Sequence, residues 1–296
     1  MIYIDLKGNL GNQLFEYACA RRIQEVTGQT ICINTYFLKK YRPEYSCNLQ
    51  NYILNENVVF EDKKALPWYV NTYAVPIRYI KKIMPRIFYK IMAKFGIYIW
   101  LKETYKDLSK VPKRKNYYFV GYWQSTKYFN DIDLLLREEF QPKYSLKAEN
   151  NDLYNIIQNK ESICLTIRRG DYVSNEKYRK KFFLCDTEYF LRGIREIKKT
   201  IPNAVVICFS DDIEWVKNNV PIDGEVYYES GKDPVWEKLR LMSTCKHFVI
   251  SNSSFSWWAQ HLSNNENKIV VAPNKWYPDG RTGDIFEPNW VLLDMN

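Results

Sequence analysis

A chain of 296 residues, 46% of them apolar, is too long for one ordinary core and too apolar for disorder, so about two globular domains are expected. Its formal charge of +9 is local: residues 63–102 hold nine Lys or Arg and no acid, and the other 34 basic residues are matched by 34 acids. This excludes a surface coated for nucleic acid throughout. Seven scattered cysteines without a C-x-x-C pair, only two histidines (His247 and His261), no leader pattern and no long apolar run exclude a disulfide framework, a histidine metal site, a Ser-His triad and a spanning helix. The expected setting is cytoplasmic, with reduced thiols.

Residues 1–6 read as a strand that runs into Gly8-Asn9-Leu10-Gly11-Asn12-Gln13-Leu14-Phe15-Glu16-Tyr17-Ala18, a glycine loop opening a helix to about residue 27. Two glycines there bring backbone N–H groups and the positive helix end toward a ligand, with the amides of Asn12 and Gln13 in the same mouth. The run lacks the third glycine of a dinucleotide fingerprint and the lysine of a P-loop, and a plain tight turn fits it equally. Residues 31–34 form a second strand, and 41–75 an irregular region rich in Tyr, Asn and Pro. Within 77–95, Ile77, Ile80, Met84, Ile87, Phe88, Ile91 and Phe95 recur at helical spacing among Lys and Arg, with Pro85 placed to kink or restart the helix. Such a basic amphipathic helix suits an anionic membrane surface; burial of the stripe inside the protein is the equal alternative. A strand at 117–123 precedes Gln124 and Ser125, and a helix covers about 128–140. The polar stretch 143–151 suggests an N-terminal domain of 1–147 and a C-terminal domain of 148–296, whose last residues can pack back on the first.

The second half alternates: helix 151–159, strand 162–168, helix 186–200 capped by Asp186, strand 204–209, a helix carrying Trp215, strand 226–228, helix 234–243, strand 247–250, a helix to about 263 and strand 268–271. This rhythm predicts an α/β fold with a parallel, doubly wound sheet. Three strands end in polar clusters: Arg168, Arg169 and Asp171; Ser210, Asp211 and Asp212; Ser253, Ser254 and Phe255. In a parallel sheet these ends share one edge, where ligands bind. Two guanidiniums suit phosphate oxygens, Gly170 lets the backbone approach, and Asp171 can either hold an arginine or accept from a ligand. The serines at a helix start offer donors for the same oxygens, and the aspartates suit the ring N–H and amino groups of guanine. Phe255 suits a base or ribose. Each cluster has a plainer reading too: a strand-end salt bridge, an N-cap at Ser-Asp-Asp, and core packing for Trp257 and Trp258.

Taken in order, Gly8-x-x-Gly11-Asn12-Gln13-Leu14-Phe15-x-Tyr17-Ala18, Ile167-Arg168-Arg169-Gly170-Asp171-Tyr172-Val173, Phe209-Ser210-Asp211-Asp212-x-x-Trp215 and Asn252-Ser253-Ser254-Phe255-Ser256-Trp257-Trp258-Ala259 resemble the alpha-1,2-fucosyltransferases, glycosyltransferase family 11. The resemblance implies a GT-B-type enzyme with two Rossmann-like domains facing a cleft, inverting and independent of metal and cofactor. It would move L-fucose from GDP-fucose to a galactose hydroxyl of a glycan or lipid-linked oligosaccharide. Carried over by motif, Arg168 resembles the arginine on the donor β-phosphate. Arg169, Ser253, Ser254 and Phe255 resemble further phosphate and nucleoside contacts, and Asp211 and Asp212 the nucleotide-side loop. Asn12, with Gly11 and Gln13, matches the N-domain loop facing sugar and acceptor. Arg168, Asn12 and Asp171 are the residues expected to serve catalysis. Asp5 and Glu16 are the carboxylates nearest that loop, and no base declares itself. The chain departs from the family pattern at Thr166, where histidine is usual, at Asn9 for glycine and at Glu16 for glutamine. Thr166 opens the reading of a different nucleotide-sugar donor. A non-catalytic basic module for glycan or nucleic acid is the remaining alternative. The expected location is cytoplasmic, peripheral to the inner membrane face, in polysaccharide assembly.

Overall fold

The structure, a computed structural model, describes residues 1–63, 79, 83–100, 104–108, 111–170, 185–280 and 283–295. The chain divides into two compact units, Met1–Phe140 and Gln141–Asn296. The stretch 143–151 packs within the second unit: the Tyr144 ring centroid lies 4.9 Å from that of Trp236, and the Lys147 N–H donates to Glu237 at 2.8 Å.

In the first unit, β1 (Ile2–Asp5) leads to α1 (Leu10–Thr27), β2 (Ile31–Asn34), α2 (Tyr36–Tyr41), β3 (Val58–Glu61), α3 (Pro85–Lys94), β4 (Ile97–Trp100), β5 (Tyr117–Gly121) and α4 (Asp133–Glu139). The strands pair in parallel in the order β3-β2-β1-β5-β4. β2 is buried along its whole length, which is why its residues do not alternate in polarity. Pro85 opens α3 at a position where its missing N–H costs nothing, so this proline starts a helix; the expected helical residues 77, 78 and 80–82 lie outside the described residues. Phe88 of α3 packs on Phe37, Ile97, Ile99 and Val120.

In the second unit, α5 (Asn151–Asn159), β6 (Ser162–Ile167), α6 (Thr187–Thr200), β7 (Val205–Ser210), α7 (Ile213–Asn219), β8 (Val226–Tyr228), α8 (Val235–Thr244), β9 (His247–Val249), α9 (Ser254–Leu262), β10 (Val270–Pro273) and β11 (Val291–Leu293) follow in order. The sheet is parallel, ordered β11-β10-β9-β6-β7-β8. The last residues, expected to be able to pack back on the first unit, supply the edge strand β11 of this one. β7 and β8 extend the sheet from β6 one way, and β9, β10 and β11 the other. This is the doubly wound Rossmann order, and its direction reverses between β6 and β9. β6 and β7 are buried at every position, as central parallel strands must be. α6, capped by the Asp186 side chain, packs closely on β9 and β10. A Cβ on its Gly193 would stand 2.6 Å from Val249, so the helix lies this near the sheet only with glycine there. Among the described residues no helix is long and apolar enough to cross a membrane.

Candidate active site

The switch point of the second unit gathers the three polar strand ends. Pairing of Thr166 with Phe209 and Ile167 with Ser210 brings the end of β7 beside that of β6. Ser210 Oγ donates to the Ile167 carbonyl at 2.9 Å and accepts from the Asp212 N–H at 3.0 Å, which ties the two loops together. Asp211 then serves β6: its Oδ2 lies 2.8 Å from Arg168 Nη1, and its Oδ1 accepts from the Arg169 N–H at 2.8 Å. Asp212 caps α7 by accepting from the Trp215 N–H at 3.3 Å, and its other oxygen meets Arg169 Nε at 3.4 Å. The Arg169 guanidinium lies flat over Trp215, 3.5 Å from the ring centroid. A Cβ on Gly170 would stand 2.5 Å from Asp211 Oδ2, so a larger residue there would push this carboxylate aside. Asp171 lies outside the described residues.

On the other side of β6, the β9 end turns into α9. The Ser251 N–H donates to Thr166 Oγ1 at 3.2 Å, so Thr166 anchors the neighbouring loop from within the sheet. Asn252 Nδ2 donates to the Trp276 carbonyl at 3.2 Å. Ser253 occupies the N-cap of α9 with no capping bond from its side chain. Ser253, Ser254 and Phe255 are half-buried at the helix mouth, whereas Trp257 and Trp258 are fully buried and belong to the core. The helix start and the two arginines thus flank the β6–β9 reversal, an arrangement suited to an anion.

The first unit has its own reversal, between β1 and β5. After β1, Gly8 takes φ +67°, and Asn9, at φ −93°, caps α1 by accepting from the Leu10 N–H at 2.9 Å. Asparagine is therefore at ease at position 9. Gln13 is fully buried and holds the loop: its Nε2 donates to the carbonyls of Gly8 at 3.0 Å and Ser46 at 2.8 Å, and its Oε1 accepts from the Asn48 N–H at 2.9 Å. Gly11 is buried in the first turn of α1, and Asn12 is half-buried. Gln124, just beyond β5, donates from Nε2 to Asn12 Oδ1 at 2.8 Å across the reversal. Sequence reasoning passed over Gln124, although a polar residue closing an apolar strand was the available signal. It follows Trp123, a buried residue at φ +52°, in the left-handed region that bulky side chains avoid.

Behind this loop three charged side chains are buried together. Lys7 Nζ meets Asp5 Oδ2 at 2.5 Å, and the Lys7 N–H donates to Glu16 Oε2 at 2.9 Å. Asp5 Oδ1 and Glu16 Oε1 have no partner. Burial pushes the Glu16 carboxyl well above the ordinary carboxylate range, against the opposing hydrogen bond and charge of Lys7, and it raises Asp5 in the same way. Glu16, 1% exposed, is walled off from an acceptor hydroxyl. Because its folded pKa exceeds the unfolded value of about 4.3, Glu16 carries no ionisation penalty below that pH, and the penalty grows as pH rises toward the folded pKa. Glu16→Gln keeps an acceptor for the Lys7 N–H and removes the buried acid. Its stability relative to wild type should therefore increase as pH rises above about 4.3 in urea unfolding; a pH-independent difference would contradict this account.

Two Rossmann-like α/β units, the second with paired arginines and a serine-rich helix start at its switch point, are the build of a GT-B glycosyltransferase. The model of glycosyl transferase family 11 matches residues 1–294, and the chain belongs to that family. It is similar to an alpha-1,2-colitosyltransferase of Escherichia coli, with 29% identity covering 98% of this chain and 97% of the relative. It is also similar to a galactoside 2-alpha-L-fucosyltransferase of Mus musculus, with 21% identity over 99% of this chain and 72% of the relative. Among solved structures, the NodZ alpha-1,6-fucosyltransferase of Bradyrhizobium co-crystallised with GDP shares the fold, with a TM-score of 0.52 and 14% identity over 88% of this chain and 91% of that one.

Proposed function

We propose that this glycosyltransferase moves L-fucose from GDP-fucose to the 2-hydroxyl of a galactose, with inversion, on a glycan or lipid-linked oligosaccharide. The observation that carries the reading is Arg168, which leaves the central strand at the switch point with its guanidinium held by Asp211 at 2.8 Å. The acceptor oxygen bonds to the anomeric carbon as the bond from that carbon to the β-phosphate oxygen breaks, and the hydroxyl proton passes to the departing phosphate. Negative charge then grows on the departing GDP, and Arg168 neutralises it where it develops. Ser253, Ser254 and the start of α9 supply donors to the same diphosphate, and Phe255 packs on the nucleoside. Asn12, oriented by Gln124, faces the sugar and acceptor. Arg169, stacked on Trp215, contributes fixed positive charge behind Arg168. The charge balance rests on these side chains, so no metal enters the step.

A second donor is favoured by one observation, that a relative of 29% identity is an alpha-1,2-colitosyltransferase, and the departure at Thr166 from the pattern the chain resembles is in keeping with it. Incubating the enzyme with galactose-terminated acceptors and GDP-fucose, GDP-colitose, GDP-mannose or a UDP-sugar separates the readings, with linkage analysis of the product. Transfer from GDP-fucose to galactose O2, undiminished by EDTA, is expected. Preference for another donor would move the assignment within the family, and loss of turnover in EDTA would remove the metal-free step.

A further inference from the structure

Among the described residues, α3 packs on the first unit through one side. Phe88 is buried, and Tyr89 and Met92 pack on the same cluster with Ile97 and Ile99. At about 3.6 residues per turn, Ile87 and Ile91 share a different side, one turn apart. They are 56% and 45% exposed, and Ile83, Met84 and Phe95, which flank the helix, are exposed by 65%, 52% and 68%. Singly scattered apolar residues on a surface need no explanation, but five on and beside one short helix do. Lys90 and Lys94 are exposed, and helical spacing sets them along the edge of the row away from Phe88. The segment that carries α3, residues 63–102, has nine basic residues and no acid.

We infer that α3 docks the protein on an anionic phospholipid surface, with Ile87 and Ile91 turned into the boundary between headgroups and acyl chains and Lys90 and Lys94 on lipid phosphates. Charge selects this occupant. A second copy pairing through the same row would bring lysines against lysines. A bilayer with anionic headgroups offers negative charge at the rim and apolar matter beneath it. The inference stands apart from the donor reading, because none of these residues belongs to either switch point.

The test is sedimentation with phosphatidylcholine vesicles, with and without phosphatidylglycerol, at low and high salt. Wild-type protein should pellet with the anionic vesicles at low salt, detach in high salt, and ignore the neutral ones. Ile87→Ser/Ile91→Ser and Lys90→Glu/Lys94→Glu should each lower the partition coefficient by roughly tenfold or more. Both double variants should keep the wild-type melting midpoint and its turnover on a soluble acceptor. Failure of the wild type to bind anionic vesicles at low salt would overturn the inference, as would wild-type binding by both variants. So would a concentration-dependent dimer lost in Ile87→Ser/Ile91→Ser, which would assign the row to a second copy.

Discussion

Arg168→Ala should lower kcat for transfer by roughly 10²–10³-fold, the loss expected when a donor aimed at developing charge is removed. The ground-state diphosphate already carries charge, so donor affinity should fall as well, but by less than turnover, because the extra charge appears only as the bond breaks. The fold should survive. The Arg168–Asp211 pair is part-exposed at both ends, 30% and 25%, and such pairs contribute only about 0–1 kcal/mol to stability. Arg168→Lys separates charge from geometry: a lysine keeps the charge and loses the planar fork that can meet two phosphate oxygens at once. Its turnover should lie between wild type and alanine. The measurements are steady-state kinetics with GDP-fucose, GDP binding by calorimetry and a thermal melt. Near-wild-type turnover in a folded Arg168→Ala protein would remove the catalytic role assigned to this residue.

The central strands of the second unit were legible because burial on both faces writes a continuous apolar run, as in β6 and β7, and polar residues punctuate their ends. Of the edge strands, β8 was read at 226–228, but β3, β4 and β11 were not. Among the described residues β3 pairs only with β2, and it leaves Val59 and Phe60 exposed, so nothing local distinguishes it from the irregular region around it. β4 begins just after Gly96, at φ +77°, and in sequence looks like the tail of the basic helix before it. The helix expected over 128–140 is broken into 3-10 turns at Thr126–Tyr128 and Asn130–Ile132 before α4, with Phe129 at φ −149° between them. An apolar pattern alone does not reveal that break. For the site, strand ends could be read but partnerships could not. Asp211 meets Arg168 through the β6–β7 register, and Gln124 meets Asn12 through the β1–β5 pairing, 42 and 112 residues from the Arg169 N–H and Asn12 that they bond. Long-range pairings of that kind depend on sheet order, which spacing along one chain does not encode.

Asp211→Ala tests whether this carboxylate acts on the nucleotide or through its arginine. Two effects compete. Removing a negative charge near the diphosphate favours donor binding, by about 1 kcal/mol if the pair is seen through water and more if it is shielded. Against that, Arg168 loses the contact that fixes its guanidinium, and the Arg169 N–H loses its acceptor. A misplacement of about 1 Å in a group that must meet developing charge costs on the order of 10²-fold. Turnover should therefore fall by roughly 10–10²-fold while the KM for donor stays level or drops. Asp211→Asn, which keeps an oxygen for the Arg169 N–H and gives up the ion pair, should fall between. Had Asp211 gripped the guanine edge, its loss would raise KM instead. The double variant decides between these roles. If Asp211 works by positioning Arg168, then Arg168→Ala/Asp211→Ala should be no slower than Arg168→Ala alone, because nothing remains to be positioned. Losses that multiply in the double variant would mean that Asp211 touches the donor in its own right, and that the link drawn here between β7 and the chemistry at the end of β6 is wrong.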